Sequence, residues 1–202
     1  MKLRAIRLGL LAVLLFVSGL TFAASPVSTI QSAANRMVSQ LERNKSSLNS
    51  NPNIIHRIVN SVLVPIIDVN RMAGSVIGRS YWSKASSSQR SQFIREFKQQ
   101  VINTYSAALS SYNGDKVTVY PLRSGYQGKK TVVVKSVIVR KNGQRVSVNY
   151  NLVKRSSGWK VYDFSIEGVS IVQNYRSQFA GPLANGGLSN LIKQLKKHNR
   201  GS

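Results

Sequence analysis

The first part of the chain carries apolar residues at the three- and four-residue spacing of amphipathic helices. This spacing predicts a first helix from Val27 to Leu41. A second helix is predicted to begin at Pro52, where the missing N–H of proline costs nothing, and to end at Pro65. Asp68 is placed to cap a third helix, and Gly78 can close it. This region is therefore predicted to be helical throughout.

A long helix is predicted to follow the serine run Ser86–Ser88 and to end at Asn113-Gly114. An apolar stripe repeats along it every four residues: Phe93, Phe97, Val101, Tyr105 and Leu109. Such a row is typical of a buried core. In a protein that holds a ligand inside its core the same row contacts the ligand, and the spacing alone leaves both interpretations open.

Beyond the long helix the pattern changes to β-branched and aromatic segments separated by turn-forming residues. Four strands are predicted, and their short connections make an antiparallel meander: Lys116–Leu122, Thr131–Arg140, Gln144–Val153 and Gly158–Ile166. The third strand alternates, and its inward positions are Val146, Val148, Tyr150 and Leu152. The second strand is apolar on both faces, so we expect both faces to be covered.

The most apolar stretch of the chain runs from Gly158 to Phe179. Gly168 breaks its strand, and the helix that follows has a buried stripe of Ile171, Tyr175 and Phe179. We expect Pro182 to stop this helix because proline cannot donate a backbone hydrogen bond. A last helix carries Leu188, Leu191, Ile192 and Leu195 on one face. Helices before and after a curved antiparallel sheet of four or more strands define an α+β fold.

Residues 1–23 have the features of a secretory signal peptide. A basic start precedes the apolar run Leu8–Leu20, and small residues in Thr21-Phe22-Ala23 predict cleavage near Ala23. The run of about 13 apolar residues is shorter than the ~20 that span a bilayer.

The mature chain, residues 24–202, is predicted to be one domain. It divides into a helical part at 24–114, a sheet at 115–167 and closing helices at 168–198. The chain has no cysteine, which in an exported protein is ordinary for bacteria. We therefore expect the protein in the periplasm.

The charge balance is strongly basic, with a net charge of +23 for the whole chain. Three of its 29 lysines and arginines lie in the predicted leader, which leaves 26 against six acidic residues, or about +20. A positive field of this strength attracts polyanions, including anionic lipid and nucleic acid. The alternative interpretation is a solvated surface whose charge only keeps the protein soluble. The bases are spread along the chain, and their one cluster lacks interleaved aromatic residues, so no specific nucleic-acid surface is predicted.

Chemistry-bearing residues are few. The two histidines, His56 and His198, have no second ligand at a metal-binding spacing, so no metal site and no catalytic residue are predicted. Asp163 and Glu167 flank the last strand. They suggest an isomerase-like enzyme as one alternative. We favour structural roles, with Asp163 paired to an arginine and Glu167 accepting N–H groups from the next helix. Regular alternation places Asp163 on the face of Trp159 and Val161, opposite Tyr162, Phe164 and Ile166.

Several segments resemble one family of bacterial proteins. The match is close to the signature of the periplasmic phospholipid-binding proteins of the Mla pathway, also called the toluene-tolerance family: Trp159–Asp163, Ile166–Ser170 and Asn174–Phe179. Looser similarity at Gly78–Gln100 and Gly186–Leu188 keeps the same order. The resemblance thus covers most of the chain from about Ile54 to Leu195.

The resemblance implies a nuclear-transport-factor-like sheet whose helices close a deep pocket around the acyl chains of a phospholipid. It implies a carrier, with no catalysis and no cofactor, that shuttles single phospholipids between outer and inner membranes and maintains outer-membrane lipid asymmetry. The partners it implies are an inner-membrane lipid-transport ATPase complex and an outer-membrane lipoprotein-porin complex.

Strand alternation and the resemblance together assign thirteen side chains to the lipid pocket: Phe97, Val101, Tyr105, Val132, Val134, Val146, Val148, Tyr150, Tyr162, Phe164, Ile166, Ile171 and Tyr175. The basic face of the last helix, with Lys193, Lys196 and Lys197, is expected to make transient contact with an anionic membrane surface. The alternatives are a basic exported protein that binds nucleic acid or lipopolysaccharide, and an isomerase-like enzyme with the same type of sheet.

Overall fold

The computed structural model describes residues 24–200, so the predicted leader lies outside the described residues. Five helices come first: α1 Pro26–Arg43, α2 Pro52–Val62, α3 Val69–Ile77, α4 Arg79–Lys84 and α5 Ser87–Ser110. The strands are β1 Lys116–Val119, β2 Thr131–Val139, β3 Arg145–Arg155, β4 Gly158–Ile166 and β5 Val169–Ser170. Helices α6 Ile171–Ala184 and α7 Gly187–Arg200 complete the chain as described. The predicted α+β class is confirmed.

Local signals in the sequence fix where the helices begin. Asp68 accepts a hydrogen bond from the backbone N of Arg71 at 3.0 Å, which confirms its predicted role as a cap. Ser86 starts α5 with a reciprocal capping box, in which its Oγ accepts from Gln89 N and the Gln89 side chain accepts from Ser86 N. These caps satisfy N–H groups that the first turn of a helix leaves unpaired.

The five strands form one antiparallel sheet in the order β1-β2-β3-β4-β5, which confirms the predicted meander of four strands and adds the two-residue β5, which was not predicted. Its ladder is regular between β2 and β3, where Val134 lies opposite Tyr150. Between β3 and β4 the register shifts at Asn151/Leu152, and Tyr162 is the extra residue of this bulge. A bulge bends and twists its strand, so the sheet curves at this point.

Three clusters of buried side chains hold the helices and the sheet together. The largest joins α3, α5, α6 and α7, and a second joins α1, α2 and α5. The third packs Ile30 of α1 against the sheet, on Val132, Val134, Leu152, Trp159 and Val161. Helix α1 thus packs on the end of the sheet that carries these five residues.

Two helix predictions need correction. Helix α4 was not predicted, because a six-residue helix gives too short an apolar period to recognise. Pro182 does not stop α6, which continues to Ala184. The carbonyls of this last turn have tertiary donors: Asn190 Nδ2 donates to Pro182 O at 3.2 Å and Tyr81 Oη to Leu183 O at 3.1 Å. With Leu183 only 5% exposed, packing holds the turn despite the proline.

Two strand predictions also need correction. Strand β1 ends at Val119 instead of Leu122, and Pro121 follows where a strand would need an N–H donor. The expectation that β2 is covered on both faces is wrong at Val133, which is 46% exposed, and correct at Val137, which is 6% exposed. Among the helices of residues 24–200, none combines the length and the apolar character needed to cross a membrane.

Candidate functional site

One face of the sheet is apolar across three strands, and we call it the inner face. Its first row is Val134, Tyr150 and Phe164, which lie side by side on β2, β3 and β4. The next rows on either side are Val132, Leu152 and Val161, and then Ser136, Val148 and Ile166. Val146 continues the face along β3, opposite Ile138. The inner face is therefore built from predicted pocket residues and a few that the prediction omitted.

The β4 bulge explains why Val161 and Trp159 were omitted. Regular alternation predicted Trp159 and Val161 on the face opposite Phe164, and this prediction is wrong. The extra residue at Tyr162 reverses the alternation, so Val161 lies opposite Leu152 on the inner face, and Trp159 packs in the same cluster as Val134. No local sequence signal marks the bulge, since Lys160–Ser165 carries neither glycine nor proline.

The long helix α5 supplies the second wall of the candidate site. Its Phe97 is buried in the largest of the three clusters. Val101 and Tyr105 are half-buried and pack against this cluster, as Phe164 of β4 does. Tyr175 of α6 meets the Phe97 ring edge-on with centroids 5.2 Å apart. Ile171 is 1% exposed in the same cluster. The α5 and α6 residues assigned to the pocket thus come together beside Phe164.

The far end of the inner face is less completely packed than the end beneath α1. Val146, Val148 and Ile166 belong to none of the three clusters described above, although Val148 is only 5% exposed. Val146 and Ile166 are half-buried, as are Tyr150 and Phe164 beside them. Helix α5 packs mainly on α7, α2 and α3 rather than on the sheet. The inner face and α5 therefore form two apolar walls with limited mutual packing.

Polar atoms are few between these walls. Ser136 is 3% exposed, and its Oγ donates a long hydrogen bond of 3.4 Å to Tyr150 Oη. Tyr175 Oη donates to Thr104 Oγ1 at 3.0 Å. Burial raises the pKa of Tyr150 and of Tyr175, and these hydrogen bonds only partly oppose the shift. Burial also raises the pKa of Tyr105, so all three tyrosines are neutral hydroxyl groups at neutral pH.

Tyr162 has different surroundings from most of the other predicted pocket residues, although Val132 borders the same groove. The guanidinium carbon of Arg71 lies 4.1 Å from the centre of its ring. Tyr162 also lines an open groove of about 750 Å³ that includes Tyr120, Val133 and Lys135. We call this the outer groove. By register Tyr120, Val133 and Lys135 point to the face opposite Val134, so the groove lies on the outer face of the sheet.

The two acids of interest are held by hydrogen bonds. Asp163 accepts from Ser170 Oγ at 2.8 Å, Val172 N at 3.1 Å and Asn151 Nδ2 at 3.4 Å, so the expected arginine pair is wrong. Glu167 accepts from Ser147 N of β3 rather than from the following helix. Asp163 therefore serves the start of α6, which is the role the sequence suggested for Glu167.

Neither acid lies on the inner face, because Asp163 pairs with Asn151 and Glu167 occupies the β4–β5 turn. Within the part of the chain that the structure describes, no group of three histidine, cysteine, aspartate or glutamate side chains is placed to hold a metal ion. His56 is on α2, where its Nδ1 lies 3.3 Å from Gln99 Nε2.

The basic face of α7 is partly engaged within the fold. Lys193 and Lys197 are exposed, whereas Lys196 is half-buried and donates to Gln92 Oε1 of α5 at 2.8 Å. Lys196 thus helps to fasten α7 onto α5. Lys193 and Lys197 remain accessible to a partner or a surface.

A curved antiparallel sheet whose apolar inner face is partly covered by helices places the chain in the α+β class. The particular family follows from comparison with known sequences. The model of the MlaC protein family matches residues 31–197, and the chain belongs to this family.

Relatives of known name support the same assignment. The chain is 30% identical to the toluene tolerance protein ttg2D of Pseudomonas putida over 183 residues, covering 90% of this chain and 84% of the relative. It is 26% identical over 176 residues to the intermembrane phospholipid transport system binding protein MlaC of Haemophilus influenzae, covering 86% and 81% of the two chains.

A solved structure has the same fold. It is the phospholipid-binding protein of Ralstonia solanacearum in complex with a phospholipid. The TM-score is 0.81 at 29% identity, and the match covers 88% of this chain and 98% of that chain. The fold of this chain is therefore one that has been seen with a phospholipid bound.

Proposed function

We propose that this protein is a phospholipid carrier that holds the acyl chains of one lipid between α5 and the inner face of the sheet. The observation that carries the proposal is the pair of apolar walls, with Val101 and Tyr105 on α5 and Tyr150 and Phe164 on the sheet. The phospholipid complex of the Ralstonia solanacearum protein supports it, because that protein shares the fold.

The energetics require an enclosed site. Each CH₂ group removed from water contributes about 0.8 kcal/mol, so two acyl chains of about 16 carbons amount to roughly 25 kcal/mol. A shallow groove would leave most of this apolar surface in water. The half-buried walls at Val146 and Ile166 supply apolar surface that a ligand can cover.

The other twelve residues of the predicted pocket, seven on the inner face and five on α5 and α6, remain our assignment of the lining. Tyr162 is not included, because its ring is held by Arg71 at the outer groove. Leu152, Val161 and Trp159 replace it, since they share the inner face. In this proposal the acyl chains contact these side chains, and the polar headgroup stays in water.

The proposed cellular role is transport of phospholipid through the periplasm between the two membranes, which maintains the lipid asymmetry of the outer membrane. The proposed partners are an inner-membrane lipid-transport ATPase complex and an outer-membrane lipoprotein-porin complex. The name of the Haemophilus influenzae relative supports intermembrane transport. Exposed Lys193 and Lys197 would promote transient contact with anionic membranes through long-range attraction.

We also propose that the protein catalyses no reaction. A general acid or base must reach the substrate, and its pKa is usually tuned toward neutrality. The two candidate acids lie away from the inner face, where Asp163 binds the start of α6 and Glu167 binds the backbone of β3. This placement supports anchoring roles for both carboxylates.

Lipid extraction tests the proposal against its alternatives. The purified protein is extracted with organic solvent, and the extract is analysed by mass spectrometry. We expect about one phospholipid per chain. A lipid-free protein with salt-dependent DNA binding would instead support a polyanion-binding protein. Turnover of a steroid-like substrate that Asp163→Asn abolishes would support the isomerase-like enzyme.

Charged substitutions test the location of the lipid. Val148→Glu and Phe164→Glu place a carboxylate on the inner face, and we expect these variants to lose bound phospholipid because burying a charge against acyl chains is costly. Val133→Glu is the matched control, since Val133 lies on the outer face and is 46% exposed. Folded Val148→Glu and Phe164→Glu variants that keep a full complement of lipid would show that the site is elsewhere.

A further inference from the structure

Strand β1 leaves part of its neighbour unpaired. It has four residues against nine in β2, and its last register pair joins Val119 to Ser136. One further bond runs from Tyr120 N to Lys135 O at 2.8 Å, after which Pro121 cannot donate. Residues 121–124 then line a groove beside β2 without pairing with it, so among the described residues the Thr131–Val134 end of β2 has no strand on this side.

The direction of the backbone groups on this edge follows from the hydrogen bonds on either side. Lys135 O points toward β1, and Lys130 O accepts from Lys154 N on the β3 side at 2.9 Å. Because backbone groups alternate along a strand, the N–H and C=O groups of Thr131 and Val133 point toward the missing part of β1. Among residues 24–200 no backbone group bonds to them there. We call these groups the open edge.

The outer groove runs beside the open edge, and its chemistry is apolar at the centre with basic residues around it. Tyr120 and Val133 are 42% and 46% exposed, and with Tyr162 they form the apolar part. Three of the lining residues are cationic and none is acidic: Arg123, Lys129 and Lys135. The groove thus combines unpaired backbone groups, apolar contacts and positive charge.

We propose that the open edge and the outer groove bind an extended acidic segment of a partner protein, which adds to the sheet as a strand beside β2. An open strand edge is a template for such pairing, and alternating side chains of the added strand enter pockets on one face. An apolar side chain of the segment would lie opposite Val133, and its carboxylates would pair with the surrounding cations. This site is separate from the proposed lipid site, which lies on the other face of β2.

The unpaired backbone groups favour a peptide over a lipid surface. An anionic bilayer would attract Arg123, Lys129 and Lys135, but it offers no backbone N–H or C=O in register with Val133 and Thr131. A peptide satisfies both requirements. A strand of about four residues is roughly 13 Å long and suffices to pair with this edge.

A synthetic peptide tests the proposal directly. The probe is a fluorescein-labelled peptide in which glutamate alternates with valine, titrated with the full-length mature protein at low salt. The control peptide has the same sequence with its alternate backbone amides N-methylated, which keeps every charge and removes the strand hydrogen bonds. We expect the methylated peptide to bind at least about tenfold more weakly, which is the loss of about 1.4 kcal/mol.

A charge reversal and its matched control locate the site. Lys135→Glu is expected to weaken binding several-fold, whereas Lys116→Glu, at the far end of β1 and also exposed, is expected to leave it unchanged. Hydrogen exchange should slow at the amides of Val133 and Thr131 when the unmodified peptide binds.

Three outcomes would overturn the proposal. One is equal binding of the methylated and unmodified peptides, and another is equal loss of binding in both lysine variants. The third is a result in which Lys135→Glu reduces binding to phosphatidylglycerol vesicles while the peptide does not bind, since the groove would then be a membrane contact.

Discussion

Strand β2 shows how one sheet serves two different surfaces. Val134 on the inner face is fully buried, whereas its neighbour Val133 on the outer face is 46% exposed. Both are valines within one apolar run, and the sequence pattern treats them alike. What separates them is coverage, because helices pack over the inner face while the outer face at Val133 borders an open groove. The apolar pattern therefore does not tell which of the two valines is covered by other parts of the same chain and which is left exposed.

The largest difference between the two faces is expected for a buried charge. Val134→Asp should destabilise the fold by at least about 3 kcal/mol, because an unpaired carboxylate would lie in the apolar core. Val133→Asp should change the free energy of unfolding by no more than about 0.5 kcal/mol. Urea denaturation followed by tryptophan fluorescence measures both. Equal losses would mean that the outer face is as tightly packed as the inner one.

A smaller effect is expected at the junction of β4 and α6. Asp163→Asn replaces a carboxylate that accepts three hydrogen bonds, so we expect a loss of about 1 to 3 kcal/mol with bound lipid unchanged. The control is Asp115→Asn, whose ion pair with Arg140 is long at 3.6 Å and should contribute less than about 1 kcal/mol. Loss of lipid from a stable Asp163→Asn variant would contradict a purely structural role.

The basic surface of α7 should affect rates rather than bound lipid. Lys193→Glu combined with Lys197→Glu is expected to slow association with anionic vesicles several-fold at low salt, because exposed charges act mainly on the association rate. The effect should fade at high salt as screening increases. Stopped-flow mixing measures the rates, and lipid analysis checks the cargo. A variant that docks normally but loses lipid would reverse this division of roles.

The smallest effect concerns His56, whose pKa is lowered from its ordinary value of 6.5 by burial. Below about pH 6.5 the unfolded chain binds a proton that the folded chain accepts less readily, so stability should fall as the pH decreases through this range. His56→Gln should reduce this dependence. Denaturation curves at several pH values test the prediction, and an unchanged dependence in His56→Gln would assign it to other groups.

The parts of the fold that depend on local chemistry could be predicted from the sequence. The cap at Asp68 and the start of α5 at Ser86 are examples, because the capping side chain bonds to N–H groups only two or three residues away. The meander was predictable for the same reason, since short turns force neighbouring strands to pair. The inner positions of β3 followed from strict alternation.

Features that depend on distant contacts could not be predicted in this way. The bulge at Tyr162 reversed the faces of Trp159 and Val161. Alternation assumes that β4 pairs regularly with β3, and the bulge is visible only in the pairing of the two strands. Helix α6 continues past Pro182, and the carbonyls of its last turn bond to Asn190 and Tyr81, of which Tyr81 is far away in the sequence. The exposure of Val133 accompanies the early end of β1 at Val119. Pro121 could have indicated this end, but the apolar pattern up to Leu122 favoured a longer strand.

Native mass spectrometry of a matched pair of variants tests the central claim most directly. Val148→Trp fills the inner face, and Val133→Trp adds the same bulk to the outer face of the same sheet. We expect the wild type and Val133→Trp to carry the added mass of one phospholipid, and a folded Val148→Trp to carry much less because its indole occupies the space of the acyl chains. Equal lipid occupancy in both folded variants would contradict a lipid site between α5 and the inner face.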